Sequence, residues 1–247
     1  LSSAVTNAEA HNVAIGTCAG KSITSGRRNV YIGEQAGFAS VTGGSNVGIG
    51  NFALSGVPTN SDGFNIAIGG YALCSVTSGR QNVTLGYQAG AAESNIAIGS
   101  SAASAGTATG NFNIAIGGQS ARNITSAEQT IAIGGQAGTL ITTGSNNVVI
   151  GHTSSESLTT GGNNTNLGTS SAKCMTTGSC NTSIGSYALC NITTGNFNTG
   201  LGRGAGCTMT TGSNNMLLGN GAAPSSVTVS NEITLGNSSI TSLRAQV

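Results

Sequence analysis

An aliphatic residue followed by glycine returns along the chain every seventeen residues, and this beat constrains the fold more than any other feature. The glycines are Gly16, Gly33, Gly50, Gly69, Gly86, Gly99, Gly117, Gly134, Gly151, Gly168, Gly185, Gly202, Gly219 and Gly236, each preceded by Ile or Leu. Ten of the thirteen intervals are seventeen; the others are nineteen (Gly50 to Gly69), thirteen (Gly86 to Gly99) and eighteen (Gly99 to Gly117). A fixed period of this size marks a solenoid, in which a rung buries its apolar face only by stacking on its neighbours. The pattern predicts an all-β parallel β-solenoid, a β-roll or β-helix, of about fourteen 17-residue rungs. Residues 1–11 read as a lead-in, 12–236 as the repeat shaft and 237–247 as a carboxyl-terminal cap.

Aligned on the glycine, the rungs become columns. Four positions earlier stands Asn in twelve of fourteen rungs: Asn12, Asn29, Asn46, Asn65, Asn82, Asn95, Asn113, Asn147, Asn164, Asn181, Asn198 and Asn215. Thr130 and Glu232 are the departures. Stacked in register, such a column becomes an amide ladder along the axis. Apolar residues three positions and one position before the glycine, with Ala, Gly, Thr or Tyr between, give the alternation of a strand with one buried face. The expectation is that the Ile and Leu column is core, facing Ala and Ser three residues after the glycine (Ala19, Ala36, Ala53, Ala188). The glycine makes a corner that requires a positive φ or no Cβ. A second aliphatic or Met follows seven residues on (Ile23, Val57, Val76, Ile141, Leu158, Met175, Ile192), predicting a second short strand. A polar turn closes the rung, Thr-Thr-Gly-Ser-Asn-Asn in its commonest form (142–147, 210–215). So thin a core predicts a homotrimer with no stable folded monomer.

Composition narrows the function. Forty glycines, no Trp and 6% charged residues lie far from ordinary usage, and a net charge of +1 removes the electrostatic footprint of a nucleic-acid or anionic-membrane binder. No apolar run approaches the ~20 residues that span a bilayer. The chain begins at Leu1 with no charged segment leading into an apolar one, which predicts a fragment or processed product and no signal peptide.

At this point the columns become recognisable. Asn-Val-Ala-Ile-Gly (12–16) and Asn-Ile-Ala-Ile-Gly (65–69, 95–99, 113–117), with Ala-Gly three residues later, resemble the head repeats of trimeric autotransporter adhesins. The seventeen-residue spacing and the Thr-Thr-Gly-Ser-Asn-Asn turns are more similar to fibre and tailspike shafts of tailed bacteriophages. The end of the chain, from Glu232-Ile-Thr-Leu-Gly to Val247, resembles the segment before the self-cleaving intramolecular chaperone of endosialidase-type tailspikes. The resemblance implies a trimeric phage tail-fibre segment, partnered by other virion tail proteins and by a host-surface glycan or protein receptor. It would reside in the virion and be extracellular after release. The second reading is an autotransporter head on the bacterial surface; a polysaccharide depolymerase and an ice-binding protein rank below both.

Chemistry-bearing residues are sparse. Glycoside hydrolysis needs paired carboxylates, yet the chain holds only Asp62 and six Glu (Glu9, Glu34, Glu93, Glu128, Glu156, Glu232) at non-equivalent positions. His11 and His152 have no partner at metal-ligand spacing. The expectation is no enzyme, no metal and no cofactor. Cys18, Cys74, Cys174, Cys180, Cys190 and Cys207 read as free thiols, because in-register Cβ atoms about 4.8 Å apart overreach a disulfide. Candidate binding residues are Phe64, Phe112 and Phe197, which share an otherwise polar column just before the Asn, together with Asp62. The rung carrying Asp62 gains two residues, so Val57 to Gly63 is expected to bulge outward while Ile49 and Ile68 stay in register.

Overall fold

A computed structural model of the chain describes residues 11–56, 63–75, 79–90, 95–104, 109–242 and 244. Fourteen three-residue strands, from Val13–Ile15 to Ile233–Leu235, form one parallel sheet whose strand order is the sequence order. Each strand pairs with the next rung's equivalent residues, as in Val13↔Val30 and Thr165↔Thr182. The irregular rungs keep that register: Ile49 pairs with Ile68, Leu85 with Ile98 and Ile98 with Ile116. Length changes are therefore absorbed outside the strands. The expected bulge over 57–62, including Asp62, lies outside the described residues.

The second strand does not form among the described residues. From the corner glycine onward the rung is a run of tight turns, such as 17–22 and 152–157. Left-handed residues recur there two and four positions after the glycine (Gln136 at φ 59° and Gly138 at 57°; Thr153 at 52° and Ser155 at 46°). Alternating hand at successive residues curls the chain instead of extending it. Rungs still pair through these turns, as in Gly138 N–H to Ser154 O at 2.9 Å and Leu140 N–H to Glu156 O at 3.2 Å. Apolar spacing signalled the buried face correctly but not the backbone that presents it.

The corner glycines hold φ between 116° and 139° from Gly16 to Gly219, a region that side chains rarely adopt. A Cβ on Gly134 would stand 2.6 Å from the carbonyl oxygen of Gly151 in the next rung. The column is glycine for both reasons.

The interior is built from other columns than the sequence suggests. Ile and Leu before the glycine are nowhere buried: Ile15 is 59% exposed, Leu201 47% and Ile184 36%. The residue between the two apolar ones faces inward instead (Ala67, Ala97, Ala115 and Ala132 at 0–1%). It meets the small column after the corner (Ala36, Ala137, Ala188) and the aliphatic column of Ile23, Ile141, Leu158, Met175, Ile192 and Met209, all fully buried. Most rungs of this narrow lumen set one aliphatic opposite small residues, and where a second enters, as Leu189 does beside Ile192, it takes the room that Gly200 and Gly206 leave, so the Ile and Leu before the corner point out. Period-two alternation cannot tell which face is buried, and a shift of one residue exchanges them.

Tyr31 shows how the lumen is filled. Its ring occupies space where a Cβ on Gly37 would stand 2.5 Å away and one on Gly48 3.1 Å away. Its hydroxyl is 2.9 Å from Ser40 Oγ, which stands where other rungs carry the aliphatic. Burial raises its pKa. One large side chain thus replaces an aliphatic and two methyl groups.

Candidate functional site

The Asn column lies inside, where it fastens rung to rung. Asn164 Oδ1 accepts the Asn181 backbone N–H at 2.9 Å and the Asn181 Nδ2 at 3.2 Å. Asn164 Nδ2 donates to Asn147 Oδ1 at 3.1 Å and to Gly178 O at 2.9 Å. Each amide therefore satisfies a backbone donor and a backbone acceptor in the polar turn, which a buried turn otherwise leaves unpaired. Where Thr130 interrupts the column, its N–H still donates to Asn113 Oδ1 (3.0 Å), while its hydroxyl reaches Gly144 O only at 3.4 Å. Glu232 ends the ladder: its N–H donates to Asn215 Oδ1, and its carboxylate accepts the Ser225 N–H and the Thr234 hydroxyl. The Ser225 bonds, then that of Thr234, hold this carboxyl below its ordinary 4.5. Eleven of these twelve Asn are buried and Asn12 is half-buried.

The Thr of each turn is likewise committed. Thr125, Thr142, Thr159, Thr176, Thr193 and Thr210 each donate a hydroxyl hydrogen bond of 2.9–3.2 Å to a carbonyl of the next rung. The single donor hydrogen of each is thus spent on backbone, leaving only acceptor lone pairs toward water.

Phe64, Phe112 and Phe197 project from left-handed residues (φ 62°, 60° and 58°) and are 68%, 62% and 64% exposed. The structure does not bring them together. Three rungs separate Phe64 from Phe112 and five separate Phe112 from Phe197, about 14 and 24 Å at ~4.8 Å per rung. Phe197 borders an open groove of about 330 Å³ with Thr199, Asn214, Met216, Asn231 and Ile233. Asn214 Nδ2 donates to Asn231 Oδ1 at 2.8 Å along its floor.

Two outward features went unread in the sequence. One is the strand face, where two columns rich in Ile, Val and Leu run unburied from end to end. The other is a group of rings on three successive rungs. Phe52 and Tyr71 stack at 5.1 Å between centroids, and Tyr87 meets Tyr71 edge-on at 6.0 Å. Aligning the second column after the glycine would have placed Phe52 beside Tyr71; Tyr87, one column over, is visible only in space.

The described carboxylates sit in four different columns. Glu156 pairs with Lys173 at 3.5 Å on the surface, and Glu34 accepts from Asn51 Nδ2 at 3.1 Å. Among the described residues no three His, Cys, Asp or Glu side chains converge as a metal site, and no helix is long and apolar enough to cross a membrane. All six cysteines are unpaired. Burial, then the neighbouring Cys207 and Cys174, push the Cys190 thiol upward, which disfavours its thiolate. No family model, curated protein or solved structure matches the chain.

Proposed function

We propose that the chain is a structural and receptor-binding segment of a bacteriophage tail fibre, assembled as a parallel homotrimer and acting by attachment without catalysis. The observation that carries this reading is the unburied strand face. Fourteen strands at ~4.8 Å form a stripe about 62 Å long, and three residues at ~3.3 Å make it about 10 Å wide. The result is on the order of 600 Å² of strand face, apolar throughout in its Ile and Leu column and interrupted in the other by Thr165, Thr182 and Thr199, near the upper limit of what monomers expose. A stripe running the length of the stack suits neighbouring copies of the same solenoid, since equal rung spacing and equal twist let each Ile and Leu find an equivalent partner. The seventeen-residue repeat and its similarity to phage shafts favour the virion over a bacterial surface.

Antibodies raised against residues 109–242 test the assignment. They should decorate the tail fibres of intact particles and block adsorption to host cells. Labelling of a bacterial outer surface in place of virions would overturn it in favour of an adhesin head.

A further inference from the structure

The chain has nine Phe and Tyr residues, and three of them stand in contact on one outer patch. Phe52 and Tyr71 occupy a column that carries Gln35 and Gln88 in the flanking rungs. Tyr71 is 38% and Tyr87 54% exposed. The Tyr87 ring lies over Gly70: a Cβ there would meet Cδ2 at 3.5 Å and Cε2 at 3.8 Å. The same column holds Asn51 one rung before and Ser100 one rung after Tyr87, so glycine clears the ground beneath the ring. Beside the rings, the exposed Glu34 carboxylate accepts from the Asn51 amide.

We infer that Phe52, Tyr71 and Tyr87 form a stacking platform for a neutral hexopyranose segment of a surface polysaccharide. The inference rests on the attachment reading above and supplies its ligand class. A pyranose presents an apolar face of axial C–H groups and a rim of hydroxyls. Phe52 and Tyr71 stack on each other, which takes up one face of each, so the more open Tyr87 ring, set edge-on to Tyr71, receives the first, and amide, phenol and carboxylate groups bond the second. The platform offers all of these in sequence along the axis: Glu34 and Asn51, then the rings, then Gln88. Its three-rung span of about 10 Å gives a patch on the order of 100 Å², far below the ~800 Å² per partner of a stable protein interface. The single nearby carboxylate opposes an acidic sugar. The Phe197 groove is less suited, because Met216 and Ile233 in its wall belong to the face assigned above to chain–chain contact.

The test uses the complete chain with Phe52→Gln, Tyr71→Gln and Tyr87→Ser combined, each the residue its own column carries in a neighbouring rung. Gln35 and Gln88 hold the same left-handed backbone as the residues replaced (φ 54° for both), so the solenoid should be preserved. The probes are neutral gluco-, galacto- and manno-oligosaccharides and a polyuronate, followed by saturation-transfer NMR and by tyrosine emission, which no Trp obscures. At least one neutral oligosaccharide should bind saturably and quench the emission. The triple variant should weaken it at least about tenfold, with melting temperature and sedimentation mass unchanged. Absence of saturable neutral binding, tighter binding of the polyuronate, or equal binding by the variant would overturn the inference. A variant that loses its assembled mass would show the rings to be interface, also overturning it. Because purified chain is used, failure here leaves the particle-labelling result to decide the fibre assignment.

Discussion

Gly117 and Gly118 are adjacent, yet the structure assigns them opposite responses to one added methyl group. Gly117 holds φ at +127°, and its Cβ would stand 2.5 Å from Gly134 O and 2.6 Å from Gly134 C. Neither atom can swing aside: Gly134 belongs to the next rung's backbone, and its N–H donates to Ile116 O at 2.7 Å. Holding a non-glycine residue at that φ costs about 1–3 kcal/mol, and relieving the contact breaks a ladder bond worth about 1 kcal/mol. Gly117→Ala should therefore destabilise the rung by roughly 3 kcal/mol. Gly118 has no positive φ and nothing within 4 Å of its Cβ position. Gly118→Ala should be neutral or stabilise by up to about 1 kcal/mol through the unfolded chain. Repeat arrays need not unfold in one step, so a local reading is better than a midpoint. Hydrogen exchange at the Gly134 amide supplies it: about a hundredfold faster in Gly117→Ala, unchanged in Gly118→Ala. Equal exchange in the two variants would refute the backbone-contact argument.

Three further outcomes follow from the ladder and its cap. Asn164→Ala strands the Asn181 N–H and the Gly178 carbonyl and should cost about 2–4 kcal/mol by denaturant melts, whereas Asn164→Thr should cost less. Thr130→Asn restores an amide oxygen for the Asn147 N–H and should raise stability by about 1 kcal/mol; a loss would mean the ladder is not set by that acceptor. The Glu232 carboxyl is lowered in the folded chain, so its stabilising effect is present above its unfolded value of 4.5 and fades as pH falls through the folded one. Carbon-detected NMR titration should place it below the ordinary carboxyl value of 4.5, and Glu232→Gln should abolish the acid-dependent loosening of the Ser225 amide.

Much of the fold was legible because the repeat multiplies a weak signal. One Ile-Gly pair says nothing, but fourteen fix the rung length, the strand position and the parallel register, including across the nineteen- and thirteen-residue intervals. The glycine corner and the buried aliphatic of Ile141 or Met175 were readable for the same reason. Sidedness was not. Asn and Ala share one face of the strand, Val and Ile the other, and hydrophobicity alone points to the wrong one as core. What decides is lumen width, set by the left-handed turns at residues such as Gln136 and Ser155, whose side chains have no intrinsic preference for that backbone. The candidate residues show the same limit: column alignment put Phe64, Phe112 and Phe197 on the surface, but only rung-by-rung packing joins Tyr87 to Tyr71 and Phe52.

Sedimentation equilibrium of the purified chain, over a hundredfold range of concentration, tests the central claim most directly. The account predicts the mass of three chains throughout. Ile184→Lys combined with Leu201→Lys, paired neighbours on the strand face, should lower that mass, while Thr177→Lys on an exposed turn should leave it intact. A folded, concentration-independent monomer, or a trimer indifferent to lysines at 184 and 201, would contradict it.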